Sequence, residues 1–246
     1  MTCNDLNRHE RDCRLAFYPE THKYILDGVE ELESVTTLVE NSFCKFDAEY
    51  WATKKSFGRE EEKQRLLDLW ERRGREAREL GTLMHDRIER HYLGETLGAE
   101  VAGDPTFARF ATFARHYHLK PYRTEWRIFS RRYAVAGTLD FLEYDGSKFT
   151  IYDWKRSNKV VDASGNICMN SYKRTGLAPL ENLPDTVYIH YALQISIYRF
   201  ILAEHYGIDV AEAYLGVFHP DLPVPFRVGL PYLRNEVIKL LSPRQK

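Results

Sequence analysis

The sequence predicts an α/β protein: a central mixed β-sheet flanked by helices, with a helical portion toward the amino terminus. Three observations carry this expectation. Helical spacing of three and four runs through residues 59–118 and gives way at residue 124 to short alternating segments. Two of those segments are joined by Asp145-Gly146, the strongest hairpin dipeptide in the chain. A long apolar helix then separates them from a further strand pair, the order expected when helices pack on a sheet.

In chain order, residues 1–13 are expected to be a flexible amino terminus. Residues 14–39 alternate aromatic and aliphatic side chains around Pro19, Asp27 and Gly28, which predicts short strands with a turn. Ser34 and Thr36 offer a cap to the apolar run behind them. Residues 59–80 carry seven basic and seven acidic side chains, a solvated helix with no net field. Its inner stripe runs from Leu66 and Trp70 through Met84 and Ile88 to Tyr92, with Gly74 and Gly81 marking close packing or a break near Gly81-Thr82. A helix over about 105–118 follows, then strands at 124–130, 133–143 and 148–155. Residues 156–186 have no period and predict a long loop, of the kind that is often functional. Asp185 is the expected cap of a helix from Val187 to Tyr206 closed by Gly207. Strands at 213–219 and 224–230 and a helix at 232–242 complete a single domain over 14–246, in which 40–118 form a mostly helical lobe.

With 43% hydrophobic and 29% charged residues, the composition is that of a globular protein, and the net charge of −1 means any anion-binding footprint is local. Cys3, Cys13, Cys44 and Cys168 show no CxxC spacing and predict reduced thiols. The opening MTCNDLNRHERD lacks the apolar core of a signal peptide, and no apolar run approaches a membrane span. The expectation is a soluble intracellular protein with no membrane partner, its compartment open.

The chemistry concentrates on the hairpin. Asp153 and Lys155 lie two apart on one strand and share a face with Ile151 and Phe149. A two-residue turn at Asp145-Gly146 places Asp140 opposite Ile151, on that same face, with the acids diagonal neighbours roughly 7–8 Å apart. A longer turn changes the register. Such acids are either solvated strand ends, members of a buried ion pair, or ligands of a cation. Their neighbours are those of buried strands, where uncompensated charge is costly and a bound cation relieves it. A divalent metal beside a lysine suits phosphoryl chemistry.

Two further segments extend the pattern. In order the chain reads G-T-x-x-H ending at His85, then Glu125, G-x-x-D ending at Asp140, D-W-K over 153–155, and Q-x-x-x-Y from Gln194 to Tyr198. This series resembles the RecB-like exonuclease branch of the PD-(D/E)XK nuclease superfamily, which includes AddB-type nuclease domains and the mitochondrial genome maintenance exonuclease. The opening FYPETHKYILDG…SVTTLV is similar to the start of that group's stand-alone members, and the resemblance spans about residues 15–220. It implies a restriction-endonuclease-like fold. It also implies a Mg²⁺- or Mn²⁺-dependent deoxyribonuclease that cuts DNA from single-stranded ends or flaps, in replication, repair or recombination.

The resemblance further implies roles for the matching residues. His85, Asp140 and Asp153 are the implied metal ligands, with the main-chain carbonyl of Trp154 beside them. Lys155 is the implied catalytic lysine and Glu125 an accessory acid near the metal. Gln194 and Tyr198 contact nucleic acid or steady the lysine and the attacking water, unless they only pack their helix. Ser34 and Thr36 bind a phosphate or merely cap a helix. Lys159, Lys173 and Arg174 in the long loop are further candidates for DNA contact, and the 40–118 lobe for a portal. Two departures stand out. Leu139 replaces the proline of the family's nominal motif, and only Cys168 lies beyond residue 44, so no iron–sulfur cluster is expected. A compact nuclease without helicase motifs suits a viral or phage origin. A duplex-cutting endonuclease and a catalytically inactive nucleic-acid-binding module remain alternatives.

Overall fold

The computed structural model describes residues 1–244, the Glu100 side chain excepted. A short helix α1 (Cys3–Leu6) precedes a meander of β1 (Leu15–Tyr18), β2 (Lys23–Leu26) and β3 (Glu30–Ser34). Four helices follow: α2 (Val35–Asn41), α3 (Ala48–Ser56), α4 (Glu60–Tyr92) and α5 (Pro105–Tyr117). Then come β4 (Pro121–Ser130), β5 (Val135–Tyr144) and β6 (Phe149–Lys155), the long helix α6 (Val187–Tyr206), β7 (Val210–Val217), β8 (Phe226–Gly229) and α7 (Arg234–Leu241). The eight strands form one mixed sheet, parallel where β3 meets β5 and where β6 meets β7. Helices cover both faces, so the α/β class read from the sequence holds. Among the described residues no helix is long and apolar enough to cross a membrane.

The two faces have separate cores. On one, α6 and α7 bury Leu193, Ile197, Ile201 and Val237 against Leu139, Leu142, Ile151 and Leu215. On the other, Met84 and Ile88 of α4 and Phe110 and Phe113 of α5 pack on Phe141, Tyr152 and Trp154. Alternation along β6 thus sends Ile151 to α6 and Tyr152 and Trp154 to α4 and α5, as a strand buried on both sides requires.

Strand β5 is where the sheet opens. Its β4 edge is paired along most of its length. On the other edge β3 meets only Val135 and Ala136, and β6 pairs only from Phe141 onward. Beyond the Phe141–Tyr152 pair β6 stays with β7, as far as Lys155 opposite Val217. Strands β5 and β6 therefore fork, and Asp140, Asp153 and Lys155 lie at the fork.

Several expectations need correction. The β5–β6 turn takes four residues, because Asp145 Oδ1 accepts from the backbone of Ser147 and Lys148 and closes a wider loop. Ile151 consequently faces Leu142, not Asp140, and continuing that register sets Asp140 across from Asp153. Helix α4 passes Gly74 and Gly81 unbroken for 33 residues. Side-chain pairs such as Glu71–Arg75 and Asp86–Arg90 span its exposed turns. The cap of α6 is Thr186, whose hydroxyl accepts from Ile189 N–H, while Asp185 pairs with His190 and Arg174. Residues 1–13 are not a loose tail: they hold α1 and lie hydrogen-bonded along β4. The 156–186 segment is a loop as expected, pinned by the buried side chains Val160, Val161, Leu180 and Leu183.

Candidate metal centre

Four elements deliver side chains to the fork. Helix α4 brings His85, which directly follows the buried Met84 and lies about one turn before the buried Ile88, the two residues that anchor it. Strand β4 brings Glu125, β5 brings Asp140, and β6 brings Asp153 and Lys155. Glu125 lies between the Thr124–Phe141 and Trp126–Leu139 pairs with φ of 46°, a left-handed conformation that costs a non-glycine residue on the order of 1–3 kcal/mol. Such strain inside a strand is kept only where its surroundings enforce it.

His85 Nδ1 is 3.4 Å from Glu125 Oε1 and 3.6 Å from Asp140 Oδ2. One ligating atom from each of these three residues lies within 4.8 Å of the others. On its other side the ring meets the Trp154 carbonyl at 3.0 Å through Nε2. An Nε2–H donated to that carbonyl leaves Nδ1, once it gives up its own proton, as the nitrogen that could ligate, the arrangement by which a backbone acceptor fixes a metal-binding histidine. The Trp154 carbonyl, implied by the resemblance as a ligand, faces the His85 ring.

Asp140 has a structural duty as well. Its Oδ2 accepts the Trp154 N–H at 2.8 Å, replacing the ladder bond lost where the strands part. Asp153 is 1% exposed and neither of its oxygens accepts a well-directed hydrogen bond. Its partner is the Lys155 ammonium, 2.6 Å from Asp153 Oδ2 and 3.9 Å from Asp140 Oδ2, with the Tyr191 ring 4.9 Å away. Asp140 and Asp153 thus flank the ammonium and Asp140 and Glu125 the imidazole, and one imidazole nitrogen with two carboxylates is a donor set that fits a divalent cation. His85, Glu125 and Asp140 are the residues that would hold it. Asp153, implied as a ligand, lies on the lysine, and Glu125, implied as an accessory acid, lies with His85 and Asp140 in the group that could hold a metal.

The electrostatics follow from burial and these pairs. Burial works against a charged His85, but Asp140 and then Glu125 outweigh it and lift its pKa to about 9. Burial likewise works against the Lys155 ammonium, yet Asp153 and Asp140 raise its pKa and keep it charged. Burial pushes Asp153 up to about 6 against the pull of Lys155.

A cation binding at Nδ1 must displace a proton, so affinity is expected to rise about tenfold per pH unit from pH 7 to about 9 and then level off. Without cation the sign reverses. The folded His85 holds its proton more tightly than the unfolded one, so its stabilisation is full below pH 6.5 and lost as pH approaches 9. Thermal melts with and without Mn²⁺ across this range should diverge with rising pH. Parallel melting curves would contradict the assignment of His85.

The remaining expected residues divide. Tyr198 is 2% exposed, and its ring lies where a Cβ on Gly137 would come within 2.5 Å of Cε1. Packing on Gly137 is thus its visible role, and it links the G-x-x-D and Q-x-x-x-Y motifs. Gln194 is half-buried and donates to the Tyr198 hydroxyl at 3.3 Å. Gly137→Ala is expected to displace Tyr198 and cost about 1–3 kcal/mol, read by chemical denaturation. The loss should largely vanish in a Tyr198→Ala background. Ser34 occupies the cap position of the seven-residue α2 without a capping bond from its side chain, and Thr36 sits in the first turn. Ser34 pairs with Ala136, four residues from Asp140, roughly 13 Å along the strand. Lys159, Lys173 and Arg174 are exposed, and Arg174 reaches Asp185 at 3.4 Å. Tyr191, under the lysine, escaped the sequence reading. Its only signal was its place one turn before Gln194 on an aromatic-rich helix.

No family model matches the chain, and no curated protein does. Among solved structures, the crystal structure of SSO0001 aligns over 85% of this chain and 72% of that one, at 14% identity and a TM-score of 0.35. A likeness that slight bears on neither fold nor function.

Proposed function

We propose that the protein is a Mg²⁺- or Mn²⁺-dependent nuclease that hydrolyses phosphodiester bonds in DNA, working from single-stranded ends or flaps. The observation that carries this reading is the convergence of His85, Glu125 and Asp140 beside a lysine gripped by Asp153. Bound there, the cation supplies Lewis-acid polarisation of a phosphoryl oxygen and acidifies the attacking water. The chain's own groups do the rest. Asp140 and Asp153 hold the Lys155 ammonium charged and aimed at the fork, where it neutralises charge that grows on the phosphoryl oxygens. Hydrogen bonding to Trp154 fixes the His85 ring, so the ligand set is organised before substrate arrives.

The surface supports a single-stranded substrate. On α3, Tyr50 and Trp51 are exposed with the Lys54 ammonium 5.9 and 5.3 Å from their rings, and Lys55 stands 5.6 Å from Trp70 of α4. Aromatic faces beside lysines stack bases and neutralise backbone phosphates. The exposed Lys159 and Lys173 add positive charge on the long loop. In the test, end-labelled linear and closed circular single-stranded DNA are incubated with protein and Mg²⁺ or EDTA. The expected result is mononucleotide or short products from the linear strand, abolished by EDTA, with the circle intact. Rapid cutting of the circle would make the protein an endonuclease, and binding without cleavage would make it an inactive module.

A further inference from the structure

The amino-terminal segment grips β4 on both sides of Glu125. Among the described residues strand β4 pairs with β5 alone, and the segment lies along its outer edge. The Asn4 side-chain amide makes two bonds with the main chain of Thr124, donating to its carbonyl at 3.0 Å and accepting from its N–H at 2.9 Å. It acts as a one-residue edge strand immediately before Glu125. Asn7 donates to the Tyr122 carbonyl at 2.9 Å. On the other side, Asp12 accepts from Trp126 Nε1 and from Arg123 Nη1, both at 2.8 Å. The buried Arg123 also lies over the Trp126 ring at 4.6 Å. An open cleft beside the segment is lined by Asp12, Leu15, Arg123, Trp126 and Arg127 together with the left-handed Glu125.

We infer that this segment is a clamp that enforces the left-handed backbone at Glu125 and so sets the cation affinity of the centre, with Asn4 and Asp12 as positioning residues. Left-handed backbone at a glutamate relaxes unless its neighbours are held. Here Thr124 and Trp126, the neighbours on either side, are held by Asn4 and Asp12 respectively. Thr124 also donates its hydroxyl to the Asp140 carbonyl at 3.0 Å, a further tie between β4 and β5 next to Glu125. The inference rests on reading His85, Glu125 and Asp140 as a cation site.

The test is Mn²⁺ affinity by calorimetric titration for the full chain, Asn4→Ala, Asp12→Ala, Glu125→Gln and Asp140→Asn. Each clamp variant is also combined with Glu125→Gln. The clamp variants are expected to lose about tenfold in affinity, the range typical of residues that orient a ligand. In the Glu125→Gln background they should lose nothing further, because the ligand they position is gone. Wild-type affinity in both clamp variants, or an equal loss with and without Glu125, would overturn the clamp. A wild type that binds no Mn²⁺, or Glu125→Gln and Asp140→Asn variants that bind as well as wild type, would instead overturn the cation site itself. If an alanine variant fails to fold, Asn4→Asp keeps the acceptor for Thr124 N–H and Asp12→Asn keeps the acceptor for Trp126. These are expected to show a smaller loss of the same kind, and unchanged affinity in both would count against the clamp.

Discussion

Asp140→Asn is expected to leave the protein folded while cutting cation affinity and hydrolysis of DNA by on the order of 10³-fold. The two effects separate because Asp140 does two jobs. Its Oδ2 accepts the Trp154 N–H at the fork, a bond the amide oxygen of asparagine can keep. Its charge, which in the proposed function would draw a cation toward His85 Nδ1 3.6 Å away, is lost. Asp140→Ala removes both functions. The buried N–H of Trp154 is then left without an acceptor, at a further cost of about 1–3 kcal/mol in stability. Denaturation curves and rates measured on the two variants should therefore differ in stability and agree in inactivity. An asparagine variant that retains its rate would remove Asp140 from the proposed chemistry.

Lys155→Ala is expected to be the most destabilising single change at the centre. It strips the ammonium from Asp153, which is 1% exposed and, among the described residues, has no other counter-charge within hydrogen-bond distance. Breaking a buried pair from one side costs about 3–5 kcal/mol at neutral pH, because the remaining carboxylate is left uncompensated. The penalty should shrink toward pH 5. Burial already raises the Asp153 pKa to about 6, and loss of the lysine raises it further, so at pH 5 the carboxyl is protonated and neutral. Lys155→Met combined with Asp153→Asn should recover much of the stability and none of the activity. Urea denaturation at pH 5 and pH 7.5 measures the first effect, and single-turnover cleavage measures the second, expected at about 10²–10³-fold. A Lys155→Ala penalty unchanged between those pH values would mean that Asp153 is not the group it compensates.

Much of the fold was readable because burial imposes periods. The helices at 105–118 and 187–206 and the five strands from β4 to β8 follow directly from spacing and from Gly207 as a closing residue. The hairpin was legible in kind but not in register. Asp145-Gly146 favours a two-residue turn, but the Asp145 carboxylate captures the backbone of Ser147 and Lys148 and widens the loop by two. An even shift leaves every side chain on its expected face, so Asp140 and Asp153 still meet, directly opposite instead of diagonally. Glu125 is marked by its place in the motif series, but its backbone conformation is not legible in the sequence. Nothing in TEWRIFS announces a left-handed glutamate, since the conformation comes from contacts more than a hundred residues away, such as Asn4 with Thr124. The same contacts explain why residues 1–13, polar and without period, look like a tail in sequence and act as an edge in structure.

The most direct measurement is anomalous diffraction from a crystal soaked in Mn²⁺. The proposed account requires a manganese peak within bonding distance of His85 Nδ1, Glu125 and Asp140, and its absence in the Asp140→Asn variant. A map with no peak at the fork, or with manganese only at exposed carboxylates such as those of α4, would contradict it.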